Sequence, residues 1–493
     1  MTAATSATNH PPGEDPRRWR ALVVTLAGGF MILLDVSIVT VAVPSIQHGL
    51  GSSASGVQWV VSGYPLTFGL ALVAGGRLGD AFGRRRMYLI ALSGFVLTSV
   101  LAGLAPTLLL LVIARLLQGL VAGLVTPQNG GLIQDLFRGA ERGRAFGALG
   151  ATIGVSTAAG PVVGGLILDA AGEPDGWRWV FLVNLPFGVL TLVLAYLFVP
   201  KTPPHRAKPD IDVLGIVLLG LTVLCLMFPV VQSDTGGLRR FWWLFVVAVP
   251  LGWAFLRWER HRVARGRAPL VDVRLFTETP GYAWGAAIGA VYFCGFSGMW
   301  LVFAVFFQTG LGFSPLESGL AVTPFALGSA AAAWIAGRLV ERWGRRLTVA
   351  GLVLVVVGLV AVAVITLVVD KDHLIAAITL PLLVAGIGGG AVISPNTTLT
   401  LACVPTNMSG VASGVLQTGQ RVGTAIGTAA LAAIFYAAVG ATGGRYTVGL
   451  AAALFGAVVL VLTALVLAIV DFRVNRGNDE LENFPAHSMT SSQ

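Results

Sequence analysis

Charge is scarce in this chain. Only 11% of its 493 residues are charged, against about a quarter in an ordinary soluble domain, too few to clothe a water-facing surface. Lysine is almost missing: Lys201, Lys208 and Lys371 are the full set, none preceded by glycine, which excludes a Walker phosphate loop. The glycine-rich Gly386–Ala391 lies inside an apolar run, so nucleotide binding is not expected there either. Three cysteines (Cys225, Cys294, Cys403) show no ligand spacing, which removes disulfide scaffolds and zinc sites. No His-Glu-x-x-His or Gly-x-Ser-x-Gly string occurs, and the six histidines fall outside the centres of the apolar runs. The chain is therefore not read as an enzyme, and no metal or cofactor is expected. Long soluble connections are also lacking, which speaks against a receptor or scaffold.

What is present is apolar: 55% of the residues, with a mean hydropathy of +0.82. Lipid as solvent accounts for both numbers. A spanning helix needs about 20 largely apolar residues, and fourteen such runs are legible. They cover 21–43, 58–76, 87–105, 107–128, 146–168, 180–199, 213–231, 241–256, 281–307, 318–337, 347–369, 374–394, 409–438 and 448–470. The first follows a polar stretch, is long and carries Asp35, so it reads as a first span rather than a cleavable signal. With the N-terminus inside, 25 of the 32 Lys and Arg fall in inside segments and 5 in outside ones; only Arg115 and Arg421 lie within spans. Such a bias is what the positive-inside rule demands, and it places both termini in the cytoplasm. The net charge of +9 is then a topology signal, not a nucleic-acid footprint.

Gly76-Arg77-Leu78-Gly79-Asp80-Ala81-Phe82-Gly83-Arg84-Arg85 returns as Gly337-Arg338-Leu339-Val340-Glu341-Arg342-Trp343-Gly344-Arg345-Arg346, an offset of 261. Gly119, Gly123 and Gly160 match Gly386, Gly390 and Gly427 at an offset of 267. The chain thus divides into a cytoplasmic tail (1–20), a six-helix half (21–199), a linker holding two extra spans (200–280), a second six-helix half (281–470) and a cytoplasmic tail (471–493). Parallel halves of this kind put a substrate site near the midplane, where they meet.

These residues make the chain resemble the major facilitator superfamily, and within it the fourteen-span drug:proton antiporters of the EmrB/QacA type. The loop signature is Gly76-x-x-x-Asp80-x-x-Gly83-Arg84-Arg85, and the antiporter signature runs from Gly154 through Gly160-Pro161-Val162-Val163-Gly164-Gly165. The first span carries Leu34-Asp35-Val36-Ser37 through Pro44, the fourth Arg115-x-x-Gln118-Gly119. Trp177 through Gly188 looks like a segment typical of the fourteen-span group. The resemblance implies an all-α polytopic fold and proton-coupled export. Two departures stand out: Leu382 occupies the place of a second-half counterpart to Arg115, and no acidic residue lies between Glu317 and Glu341.

Asp35 is the sole carboxylate well inside a predicted span. A charge at the bilayer centre costs about 2.5–3.5 kcal/mol on insertion scales, so Asp35 needs a reason; proton coupling with Arg115 supplies one. At 1.5 Å per residue, Asp35, Arg115 and Arg421 all come out about 12 Å below the outer face. A shared cavity is therefore predicted, walled by Gln58, Tyr64, Gln118, Trp300, Gln417 and Arg421. Gly154, Gly160, Pro161, Gly164 and Gly165 suit either close helix packing or a gating hinge. Gly76, Asp80, Gly83, Arg84, Arg85 and the repeated Glu341 suit topology and a cytoplasmic latch.

The expected function is proton-driven antiport of amphipathic drugs or secreted metabolites across the cell membrane, by alternating access. An uptake symporter of the same superfamily is the alternative. Expected partners are protons, the lipid bilayer and a small substrate. Aromatic walls suit a lipophilic cation, while two arginines against one aspartate suit a neutral or anionic product. A monomer is expected, and the preference for Arg over Lys points to a GC-rich bacterial genome.

Overall fold

In hydrocarbon no water is available to backbone amides, so an apolar run must close its hydrogen bonds within itself, and helices do so. The computed structural model, which describes residues 18–52, 54–172, 174–201, 212–232, 236–267, 269–405 and 408–482, is helical throughout, with no strand among them. The first set of helices is α1 (Arg18–Leu50), α2 (Ala54–Phe82), α3 (Arg84–Gly103), α4 (Leu108–Leu136), α5 (Gly139–Ala171), α6 (Trp177–Leu182) and α7 (Asn184–Phe198). Then come α8 (Val213–Val231), α9 (Gly237–Phe241), α10 (Trp243–Ala264) and α11 (Arg274–Thr277). The last set is α12 (Tyr282–Val305), which continues as a π-helical turn (Phe306–Gly310), α13 (Pro315–Trp343), α14 (Arg345–Val368), α15 (Lys371–Ala402), α16 (Ser409–Ala441) and α17 (Tyr446–Glu482).

The sequence repeat is also a packing repeat. In the first set α2 and α3 pack on α4, α5 on α1, and α7 on α1 and α3. In the last set α13 and α14 pack on α15, α16 on α12, and α17 on α12 and α14, the same pairings one repeat later. The turns that open α3 and α14 match too: Gly83 and Gly344 both adopt positive φ, 93° and 50°, a region that glycine enters without steric cost. The two sets touch through α5 on α13 and α2 on α16, and α8 lies beside that second seam, against α2, α16 and α10.

Among the described residues twelve helices are long and apolar enough to cross a membrane, two fewer than the sequence runs suggested. The runs at 146–168 and 241–256 fall short. Among the described side chains of α5 the apolar stretch is Val162–Ala171, too short to cross a membrane by itself. In α10 the apolar stretch gives way to Arg257, Glu259 and Arg260. At the foot of the α8–α10 pair Asp212 caps α8 by accepting from the Gly215 amide at 2.8 Å, and it pairs with Arg262 at 3.3 Å. Fully buried Glu259 accepts from the Val271 amide at 3.2 Å. Burial, with Asp212 beside it, pushes the Glu259 carboxyl up to about 8.

Candidate functional site

The carboxylate of Asp35, 1% exposed, is held by three donors from two other helices. Arg115 Nη1 donates to Oδ2 at 2.5 Å, while Asn184 Nδ2 and Gln118 Nε2 donate to Oδ1 at 2.8 and 3.2 Å. Arg115 is itself 1% exposed and also donates to Gln118 Oε1 at 2.7 Å and to the Val60 carbonyl at 3.0 Å. Ser99 Oγ closes the knot, accepting from Gln118 Nε2 at 2.7 Å. Every polar group here meets a partner, as a buried charge pair requires. The pair predicted from depth is therefore in contact. Asn184 and Ser99 went unread in the sequence; Asn184 had a signal, as the lone amide in the 180–199 run.

Arg421 does not join them. The Arg115 guanidinium lies 4.3 Å from the Tyr64 ring centroid, Tyr64 stacks on Phe68 at 6.0 Å, and the Arg421 guanidinium stands 4.6 Å over Phe68. Two aromatic rings thus separate the Asp35–Arg115 pair from Arg421. The expectation of three ionisable groups in one cavity is corrected to two in a buried knot and one on a cavity wall. Equal depth fixes height along the bundle and leaves rotation about each helix axis open. Gln118 is corrected likewise: it faces Asp35 and Ser99, not substrate space.

A cavity of about 270 Å³ lies between the two helix sets, lined by Val36, Ser37, Asn129, Phe293, Phe296, Trp300, Ser413, Gln417, Gln420 and Arg421 among others. A second of about 300 Å³, bordered by Tyr64, Phe68 and Met227, shares Val36, Arg421 and Thr424 with it. Of the residues expected on a substrate cavity, Tyr64 lines the second of these cavities, Trp300 and Gln417 the first, and Arg421 both. The Gln58 and Pro161 side chains lie outside the described residues. A larger cavity of about 570 Å³ between α8, α10, α12 and α16 has no charged side chain among its described lining residues. It lacks the ionisable chemistry of the other two. No cluster that could hold a metal ion occurs among the described residues.

The end of the bundle bearing Arg84 is closed by helices meeting backbone to backbone. A Cβ on Gly76 of α2 would fall on the Gly410 carbonyl of α16, and one on Gly143 of α5 on the Gly337 carbonyl of α13. The two crossings are repeats of one another, since Gly76 matches Gly337 at the offset of 261 and Gly143 matches Gly410 at 267. Asp80 reinforces the first crossing: its carboxylate accepts from the Gly410 and Val411 amides at 3.3 and 3.1 Å, at the start of α16. An anion there meets unpaired amides and the positive end of the helix dipole. Arg84 pairs with Asp80 at 2.9 Å and Asp135 at 2.7 Å, and donates to Ser409 Oγ at 2.6 Å. Glu341 is exposed, near the Gly139 backbone at the start of α5. Arg85 reaches the Tyr196 carbonyl at 2.5 Å.

The antiporter-signature glycines of α5 split between neighbours. Gly160 and Gly164 face Ser37 and Ile38 of α1, Gly154 faces Ala326 and Ser329 of α13, and Gly165 meets open space. Asp471 was unread in the sequence because it lies one residue past the 448–470 run. It is buried in an ion pair with Arg345 at 2.5 Å, and Arg345 also donates to Asn396.

Comparison with known proteins matches this geometry. The chain is 39% identical over 445 residues to a probable actinorhodin transporter of Streptomyces coelicolor, covering 88% of this chain and 75% of that one. It is 34% identical over 430 residues to the multidrug resistance protein Stp of Mycobacterium tuberculosis, covering 85% and 76%. The tetracenomycin C resistance and export protein of Streptomyces glaucescens is 32% identical over 441 residues, with 88% and 79% covered. Among solved structures, the human organic anion transporter MFSD10 superposes with a TM-score of 0.68 at 17% identity, over 92% of this chain and all of that one. The proton:xylose symporter XylE gives 0.64 at 16%, over 90% and 94%; at such identities the likeness is one of fold. The family model of the Major Facilitator Superfamily matches residues 25–428 and, again, 285–486. A doubled helical bundle with its cavity at the seam, and relatives alike over most of their length, make the chain a member of the major facilitator superfamily.

Proposed function

We propose that this protein exports amphipathic drugs or secreted metabolites from a bacterial cell, exchanging them for protons by alternating access. Its relatives named for antibiotic and multidrug export support the export direction. The observation that carries the coupling is the buried Asp35 carboxylate, held by Arg115, Gln118 and Asn184 behind Tyr64, which borders the cavity. Ionised, it accepts three hydrogen bonds and ties α1 to α4 and α7. Protonated, it loses an acceptor and leaves Arg115 without its countercharge, so α1 is freed. The α1 helix bears on α5 through Ser37, whose hydroxyl reaches the Ser156 carbonyl at 3.3 Å and lies against Gly160. The α5 helix in turn forms one of the two crossings that close the Arg84 end. A proton on Asp35 is thereby transmitted to the gate as a change in how α1 carries α5.

In this reading the Arg84 end faces the cytoplasm, both termini are cytoplasmic, the protein sits in the plasma membrane, and it works as a monomer. The halves 21–199 and 281–470 rock about the cavity, and 200–280 is an insertion between them. We assign α5 and α10 as two further spans, the membrane part of α10 ending before Arg257, so that Glu259 lies beyond it. That gives fourteen, as in the EmrB/QacA type. Substrate-induced proton release from reconstituted vesicles tests the proposal: Asp35→Asn should abolish it while the protein still inserts. Undiminished release from that variant overturns the coupling role.

A further inference from the structure

Among the described residues the two cavities at the seam contain one formal charge. Arg421 lines both, and no carboxylate lines either. Asp35, the nearby anion, is neutralised by Arg115 and set apart from Arg421 by the Tyr64 and Phe68 rings. Arg421 has no hydrogen bond or ion pair with any described residue; its contact is the face of Phe68. A half-buried guanidinium with five donors and no anionic partner is an unfilled binding group. The indole N–H of Trp300, on the same wall, is likewise buried without a partner among the described residues. Beside them Phe293, Phe296 and Trp300 form a run of rings with centroids 5.6 and 5.8 Å apart.

Accepting that the protein is an exporter, we infer that its substrates are planar aromatic molecules bearing an acidic group, a carboxylate or an ionised phenol, and that Arg421 binds that group. The guanidinium matches a carboxylate in two parallel hydrogen bonds. The aromatic wall takes the ring system, and the Trp300 N–H offers a further donor to an acceptor on the ring. A lipophilic cation fits the same space badly. It would meet Arg421 as a like charge in a desolvated site, with no lining carboxylate to offset the repulsion. The Phe68 face, on the wall of the second cavity, is already covered by Arg421. An inside-negative membrane potential also favours the exit of an anion.

Three probes with one ring system separate the alternatives: 9-anthracenecarboxylate, 9-anthracenemethanol and 9-(aminomethyl)anthracene, bound to purified protein and followed by fluorescence anisotropy. The wild type should rank them carboxylate, alcohol, amine, with at least about tenfold between the first two, as expected for a charge-assisted hydrogen bond. Arg421→Gln should erase the preference for carboxylate over alcohol, and Arg421→Lys should keep most of it. The wild-type ranking is informative even if a variant fails to fold. A ranking with the amine first, no binding of any probe, or a carboxylate preference that survives Arg421→Gln overturns the inference. Energised vesicles judge the exporter reading separately. If they expel uncharged chloramphenicol while the amine binds best, export stands and the acid preference falls. If they move no compound of any charge, the exporter reading falls and takes this inference with it.

Discussion

Replacing Asp35 by Asn removes a charge but hardly changes shape, so its effect isolates what the carboxylate does for Arg115. In the wild type the guanidinium has three acceptors: Asp35, the Gln118 amide oxygen and the Val60 carbonyl. After the change two remain, and the new amide oxygen offers a neutral third. The lost quantity is therefore mostly the countercharge of a cation that is 1% exposed. Breaking a buried ion pair from one side costs about 3–5 kcal/mol; with the acceptors retained, the lower figure is expected. Arg115→Gln alone leaves Asp35 with two amide donors and no cation, and should cost a similar amount. The double variant Asp35→Asn/Arg115→Gln carries no unpaired charge, so the single losses should not add; a favourable coupling of about 2–3 kcal/mol is expected for residues in one network. Reversible unfolding in mixed detergent micelles gives the three numbers. All three variants should lack substrate-induced proton release, which separates the structural effect from the functional one. A double variant less stable than either single, by roughly the sum of their losses, would refute the claim that the two charges answer each other.

Asn184→Leu removes the 2.8 Å donor to Asp35 and should destabilise by about 1–3 kcal/mol, measured in the same micelles; a neutral result would exclude Asn184 from the knot. Gly143→Ala places a methyl on the Gly337 carbonyl, so the Arg84 end should no longer close. A cysteine at Ser413, on the central cavity wall, with exposed Cys403 replaced by Ser, should then react at least about tenfold faster with an impermeant thiol reagent added at that end, and an unchanged rate would mean the crossing is no seal. Glu259, pushed up to about 8 from 4.5, stays protonated in the folded chain where the unfolded acid has ionised. Stability should fall as pH rises between those values and level off above them; Glu259→Gln should flatten the slope of unfolding midpoint against pH, and a slope that persists would acquit this residue.

Much of the plan was legible because it is written in one dimension. Apolar run length, loop charge and the Gly76/Gly337 repeat follow from position along the chain, and so does the equal depth of Asp35 and Arg115. What escaped depends on rotation and on neighbours. A depth estimate does not say that Gln118 turns toward Ser99, or that Tyr64 and Phe68 stand between Arg115 and Arg421. Asp471 was passed over because a span end was drawn one residue early. Gly410 drew no notice in the sequence, and its importance appears only when the Gly76 backbone is seen against it.

The two glycine crossings have a further implication. Each joins a helix of the α2 kind in one half to a helix of the α5 kind in the other, so the contact is self-complementary. A single six-helix unit with both glycines would present a surface that fits a second copy of itself about a two-fold axis. Docking can thus be inherited by simple duplication. Ionic character cannot, and here it has diverged: Leu382 stands opposite Arg115, and Gly154 opposite Arg421, at the offset of 267. The first half keeps the buried Asp35–Arg115 pair and the second the Arg421 guanidinium on the cavity wall. A chimera joining the first half of this chain to the second half of a relative that carries glycines at both crossings should therefore assemble, keep its proton response and take its ligand preference from the donor of the second half.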